Sequence, residues 1–269
     1  VSKKKKKEDV EPRRGLVSDL VGTKFFPVRT LIEDQNIIVV SKLRGMHCVV
    51  HQHSDPITVA DCLAALAPET VNASPDKRES GLVNRIDRWT SGVLLAAKNR
   101  EAWTMLREEM RADRIKKSYL AIVEGTLPKA KYTVNLPIFL VKDKPKVKFQ
   151  KLTSAEQREA KKAISLVQRL KVVTVGKKKF TIVRVSGGSM TRHQVRVHLC
   201  SLGHPIVGDE MYGASSKLSD LISGKKPKHV SGEPEGFLLH AESIEFKHPK
   251  TGRMVLAKTE SPAIQFLLQ

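Results

Sequence analysis

Gly81-Leu-Val-Asn-Arg-Ile-Asp-Arg-Trp-Thr-Ser-Gly92 sets one carboxylate, Asp87, between the guanidiniums of Arg85 and Arg88, just ahead of the apolar run Val93 to Ala97. That run reads as a strand entered through Gly92, which puts Asp87 on the loop leading into it. Two neighbouring cations favour the ionised carboxylate, as a nucleophile or an electrostatic stabiliser requires. The same residues equally describe an ordinary ion pair on a surface loop. Lys116-Lys-Ser-Tyr-Leu-Ala-Ile-Val-Glu-Gly125 places Tyr119 on an apolar strand, where a core aromatic with a satisfied hydroxyl is expected. Arg192-His-Gln-Val-Arg-Val-His-Leu199 places Arg196 on a helix, with His193 and Leu199 one turn to either side. Exposed, Arg196 would meet phosphate or nothing; buried, it needs a carboxylate.

Outward from these stretches the pattern alternates short strands with scattered helices. Ile37 to Val40 and Cys48 to Val50 are apolar, β-branched runs separated by the turn-prone Arg44-Gly45. Thr58, with Asp61 three residues on, predicts the start of a helix with Val59, Cys62, Leu63 and Leu66 on one face, closed by Pro68. Asn99 is the expected cap of a second helix carrying Trp103, Leu106 and Met110 inward. Residues 163–185 are β-rich, with Gly176-Lys-Lys-Lys179 as a hairpin tip. A helix over Arg192 to Ser201 should stop at Gly203, and the final strands, His240 to Phe246 and Met254 to Lys258, flank a Pro-Lys-Thr-Gly turn. The fold class is α+β: a mixed, mainly antiparallel sheet with flanking helices. A basic arm over residues 1–24 is expected to precede one domain over 25–269.

Composition narrows the partner. The 269 residues are 40% hydrophobic and 28% charged, enough apolar surface for a core. No run approaches the roughly 18 apolar residues of a membrane-crossing helix. The net charge is +20; residues 1–14 hold seven basic and three acidic side chains, so +16 belongs to the remainder. Such a field seeks a polyanion, nucleic acid before a membrane surface, since no basic amphipathic helix with an aromatic face is present. Cys48, Cys62 and Cys200 are widely spaced and form no CxxC pair, which suits buried free thiols. The pairs His51/His53 and His193/His198 complete no HExxH pattern, so no metal site is expected. There is no GxxxxGK[ST], no GxGxxG after a strand and no GxSxG. Val1 as first residue is the expected start of a processed chain. With it goes the expectation of a mitochondrial location, the cytoplasm being the alternative.

Asn84-Arg-Ile-Asp-Arg-Trp-Thr-Ser-Gly92 resembles the His-Arg-Leu-Asp-x-x-Thr-Ser-Gly motif of the RluA-type RNA pseudouridine synthases. Ser118 to Gly125 is similar to that family's tyrosine segment. His193-Gln-Val-Arg-Val-His198, Leu202-Gly-His-Pro-Ile-Val-Gly-Asp209 and Tyr212-Gly213 resemble its third motif. Glu33 to Lys42 resembles its opening strand, and Leu239-His-Ala-Glu with His248-Pro-Lys-Thr-Gly252 its closing one. The likeness runs in order over residues 28–262, without the small RNA-binding module that often precedes this domain.

The resemblance implies that Asp87 attacks a uridine so that the base detaches, rotates and rejoins through carbon. It implies that Tyr119 packs beneath the base and helps remove a proton, and that Arg196 pairs with Asp87. Arg85 would fill the space of the extruded uridine; Arg88 and Arg192 would contact RNA. His193 and Gln194, counted with the RNA-binding residues, would support the loop and backbone around the site. No cofactor or metal is implied, and the partner would be structured RNA, foremost large-subunit ribosomal RNA or a pre-ribosomal particle. Flipping a uridine out of its stack and holding the deformed RNA on a basic surface suits the charge. Four departures stand out: Asn84 for His, Leu43 for Pro, Met190-Thr-Arg192 for Gly-Arg-x, and Ser165-Leu-Val167 for Thr-x-Tyr. They motivate an alternative, an RNA-binding ribosome-assembly factor with little or no catalysis; a transfer RNA modifier would differ only in substrate.

Overall fold

The structure, a computed structural model, describes residues 27–50, 56–142, 147–188, 190–221 and 236–268. The arm expected over 1–24 and the pair His51 and His53 lie outside the described residues. In chain order the elements are β1 Val28–Glu33, β2 Ile37–Lys42, α1 Val59–Leu66, β3 Thr90–Ala97, α2 Arg100–Arg111, β4 Lys116–Glu124 and β5 Lys131–Asn135. There follow α3 Ser154–Glu159, β6 Ile164–Val175, β7 Lys178–Gly187, α4 Gln194–Ser201, β8 Leu239–Lys247, β9 Met254–Lys258 and α5 Pro262–Leu268. Short 3-10 turns punctuate the loops.

The strands form one α+β sheet in the order β1-β2-β3-β8-β4-β7-β6-β5, with β9 also on β8. Among the described residues the pairings are antiparallel except one. Thr90, Ser91 and Gly92 of β3 run parallel to Leu239, His240 and Ala241 of β8. Those same β8 residues bond β4 on their other side, and β9 takes over from β3 along Ser243–Lys247. Three residue pairs thus join two half-sheets. Gly92 is required there: its φ is +112°, and a Cβ would stand 2.2 Å from the Ala241 carbonyl oxygen.

Four successive β-branched residues, Ile37 to Val40, make β2 a strand buried on both faces. Ile38, Val40, Leu94 and Ala96 pack under α1, while Ile37, Val39, Val93 and Leu95 pack under α2. Helix α1 starts in a capping box: Thr58 Oγ1 accepts from the Asp61 amide, and Asp61 Oδ2 accepts from the Thr58 amide. Asn99 Oδ1 caps α2 by accepting from the Ala102 amide. In the other half-sheet, α4 covers Tyr119, Ala121, Val123 and Val185, and α5 covers the opposite face at Leu120 and Ile122. Helices α1 and α4 therefore share one side of the sheet.

Cys48 to Val50 do not form the strand their composition suggests. They bend beneath α1, where the carbonyls of His47 and Cys48 accept from the amides of Val59 and Ala60, so burial against the helix replaces strand pairing. The hairpin between β6 and β7 turns at Gly176-Lys177. No helix among the described residues is long and apolar enough to cross a membrane.

Candidate active site

The loop before β3 meets the first turn of α4 over the seam between the half-sheets. Arg196 is 5% exposed and carries two carboxylates. Its Nε and Nη2 donate to Asp209 Oδ2 and Oδ1, both at 2.7 Å, and its Nη1 donates to Asp87 Oδ2 at 3.0 Å. Burial alone would lower the pKa of Arg196. The bonds and charge of Asp209, joined by those of Asp87, outweigh it and hold the guanidinium above its ordinary value. Its plane also lies 4.3 Å from the Phe237 ring centroid and 4.8 Å from that of Tyr212. Contacts of this kind contribute about 2 kcal/mol when desolvated. One guanidinium edge is thus committed to Asp209, leaving Nη1 for Asp87.

Asp87 is about a quarter exposed and so reachable, whereas Asp209 is sealed. Its loop is braced on both sides. The Ile86 carbonyl accepts from the Cys48 thiol at 3.3 Å, and the Arg88 carbonyl accepts from the Gly45 amide at 2.8 Å and Lys42 Nζ at 3.0 Å. Lys42, 1% exposed, also donates to the carbonyls of Leu43 and Met46. Its burial lowers its pKa to about 8, opposed by the charge of Asp87. Ile86 packs into the apolar clusters of both half-sheets, which fixes the loop over the seam.

Tyr119 lies in the apolar cluster as its sequence suggests, 6% exposed, and also lines the cleft with Asp87, Arg85, Lys117, Arg192 and Leu239. Burial and the charge of Asp87 push its hydroxyl well above the usual phenol range. The phenol therefore stays neutral in the free protein.

His193 holds a left-handed backbone, φ +58°, as it enters α4. The Tyr212 hydroxyl accepts from the Val147 amide, so its own proton can go to His193 Nδ1, 2.7 Å away. In the tautomer that accepts at Nδ1, the imidazole proton sits on Nε2, which stands 3.6 Å from Asp87 Oδ1. Burial lowers the His193 pKa to about 4, against the pull of Asp87, so the ring is neutral at ordinary pH.

The remaining sequence-derived candidates divide. Arg85 and Arg192 are exposed along the cleft, Arg85 also standing 3.6 Å from Glu79. Arg88 is exposed at the rim, its Nε donating to the Gly45 carbonyl. Gln194 turns inward, onto the backbone around the site. It is 5% exposed, its Oε1 accepts from the Thr191 amide, and its Nε2 donates to the Ile164 carbonyl and Ser165 Oγ. His193 and His198 diverge, His198 bonding Ser165 and the Leu136 carbonyl. Asp209, Tyr212 and Lys42 stood in the quoted stretches without a stated task; the guanidinium in their midst was the available signal for Asp209, since a buried arginine needs carboxylates.

A mixed sheet bearing an arginine-held carboxylate beside a buried tyrosine, in a strongly basic chain, suits a domain that acts on a polyanion such as RNA. Two solved human structures share its fold: RNA Pseudouridylate Synthase Domain Containing 1 (TM-score 0.63, 21% identity, 87% of this chain and 84% of that one) and Domain Containing 4 (0.61, 22%, 94% of each). The family described as RNA pseudouridylate synthase matches residues 36–201. An uncharacterized RNA pseudouridine synthase, YhcT, of Bacillus subtilis is 29% identical over 87% of this chain and 68% of its own. The ribosomal large subunit pseudouridine synthase C of Buchnera aphidicola is 31% identical over 90% and 72%, and the tRNA pseudouridine synthase C of Haemophilus ducreyi 31% over 82% and 86%. The chain belongs to the RNA pseudouridylate synthase family, in its RluA-type branch, and is an isomerase of RNA uridine.

Proposed function

We propose that this chain isomerises specific uridines of large-subunit ribosomal RNA, with Asp87 as the reacting carboxylate. The observation that carries the reading is the 3.0 Å bond from Arg196 to an accessible Asp87, beside Tyr119 in one cleft. In the proposed sequence Asp87 attacks the nucleotide, the C1′–N1 glycosidic bond breaks, and the base turns. A C1′–C5 bond then forms as the bond to Asp87 breaks and frees its carboxylate, the C5 proton leaves and N1 gains a proton. Tyr119 supports the base, and the exposed Arg85, Arg88 and Arg192 hold the displaced strand.

Ribosomal RNA rests on relatives named for the large subunit; the Haemophilus ducreyi relative makes transfer RNA the competing substrate. The departures from the motif leave the centre braced. Asn84 Oδ1 accepts from the Leu95 amide at 3.0 Å, and Ser165 joins the bonds of Gln194 and His198. These bonds support catalysis over the assembly-factor reading. The test is Asp87→Asn expressed alone in cells, with pseudouridine mapped and RNA occupancy measured. Loss of specific pseudouridines at normal occupancy supports the proposal. Their persistence, or no protein-dependent pseudouridine with the unchanged chain, overturns it.

A further inference from the structure

Trp89 fills one of the two positions that the Asp-x-x-Thr-Ser-Gly motif leaves open, two residues after Asp87. Its indole is gripped by backbone. A Cβ on Gly45 would lie 3.2 Å from the ring, and one on Gly236 only 2.3 Å, and both glycines hold φ near +80°. Side chains complete the knot. Arg88 and Arg44 stand 4.8 and 5.3 Å from the ring centroid. Arg44 Nη2 donates to the Phe237 carbonyl at 3.3 Å, and Arg88 Nε donates to the Gly45 carbonyl at 3.1 Å. Phe237, next to Gly236, is the ring packed 4.3 Å from the Arg196 guanidinium.

Trp89 is therefore linked, through one intermediary on each side, to both members of the Asp87–Arg196 pair. Through its own loop it fixes the chain that carries Asp87. Through Gly236-Phe237 it fixes the aromatic wall against which Arg196 lies. Close packing transmits such a constraint because a displaced ring has no void to move into. We infer that Trp89 is a positioning residue that sets the Asp87–Arg196 geometry from the rim of the cleft. This rests on the pseudouridine synthase reading for its kinetic consequence, but not for its structural one.

The test compares Trp89→Ala and Trp89→Phe in the full chain. One readout needs no activity: the Arg196 Nε–H nuclear magnetic resonance signal, assigned by its loss in Arg196→Lys. The others are the Kd and saturated single-turnover rate on unmodified transcripts of large-subunit ribosomal RNA and of transfer RNA. Trp89→Ala should shift the Arg196 signal and cut the saturated rate at least tenfold, with Kd within threefold. Trp89→Phe should restore most of the rate. Weaker binding with a normal saturated rate would make Trp89 an RNA contact and overturn the inference. An unmoved Arg196 signal, whatever the change in melting temperature, would reduce it to core packing and overturn it too. If Trp89→Ala does not fold, Trp89→Leu and Trp89→Phe carry the same comparison. Should the unchanged chain modify neither transcript, the functional reading fails, while the resonance still decides the structural one.

Discussion

Asp209 binds Arg196 through two hydrogen bonds of 2.7 Å and so turns a single guanidinium nitrogen, Nη1, toward Asp87. The sealed carboxylate orients the guanidinium; the accessible one is the proposed reacting group. Asp209→Asn keeps the shape but removes the compensating charge, and turnover should fall by about 10- to 100-fold with little change in RNA affinity. Asp209→Ala leaves the cation under-compensated in a buried site and should cost about 3–5 kcal/mol in urea unfolding. Normal single-turnover rates in Asp209→Asn would show that Asp87 needs no oriented partner.

Lys42 offers a second check on the same loop. Lys42→Met removes donors from three carbonyls, of which, among the described residues, that of Arg88 alone keeps another bond, to the Gly45 amide. Charge-assisted bonds of this kind are each worth about 1.5–3 kcal/mol, partly offset here by relief from burying an ammonium. The expected outcome is a lower melting temperature together with slower turnover of bound RNA. Lost stability at full catalytic rate would detach Lys42 from the site.

Acid should destabilise the fold through His193. Its folded pKa, about 4, lies below the unfolded 6.5, so between those values the unfolded chain binds more protons. The stability from keeping this ring neutral is complete above pH 6.5 and lost as pH falls toward 4, amounting to about 3 kcal/mol at most. His193→Gln should flatten the slope of unfolding free energy over this window relative to the parent. Identical slopes would refute the buried neutral ring.

RNA affinity should depend steeply on salt. Each phosphate neutralised contributes about −0.7 to the slope of log affinity against log salt for single strands. With +16 outside residues 1–14, several contacts should give a magnitude above about 3, and deleting residues 1–14 should reduce it only in part. A filter-binding titration that is nearly flat would discard the charged face.

The class of fold was legible because the signals are local. The β-branched run at Ile37, the Thr58 and Asn99 caps and the Gly176 turn each act within a few residues. Cys48 to Val50 misled because composition cannot tell an apolar strand from an apolar bend under a helix. The site was legible only through family likeness. Asp87 and Arg196 are 109 residues apart, and spacing alone left Asp87 a surface ion pair and Tyr119 a core ring. Asp209 in a Gly-Asp turn looks like any loop residue until α4 brings the buried guanidinium against it. Gln194, expected to support the loop and backbone around the site, makes three inward bonds, two of them to backbone.

Among the described residues, three residue pairs between β3 and β8 stitch the half-sheets along their strands, and the Asp87–Arg196 pair straddles that stitch. The carboxylate belongs to one lobe and the guanidinium to the other, so neither lobe holds the pair by itself. On the proposed reading, a chain with only one lobe folded lacks the oriented carboxylate, and completion of the fold is the licence for reaction.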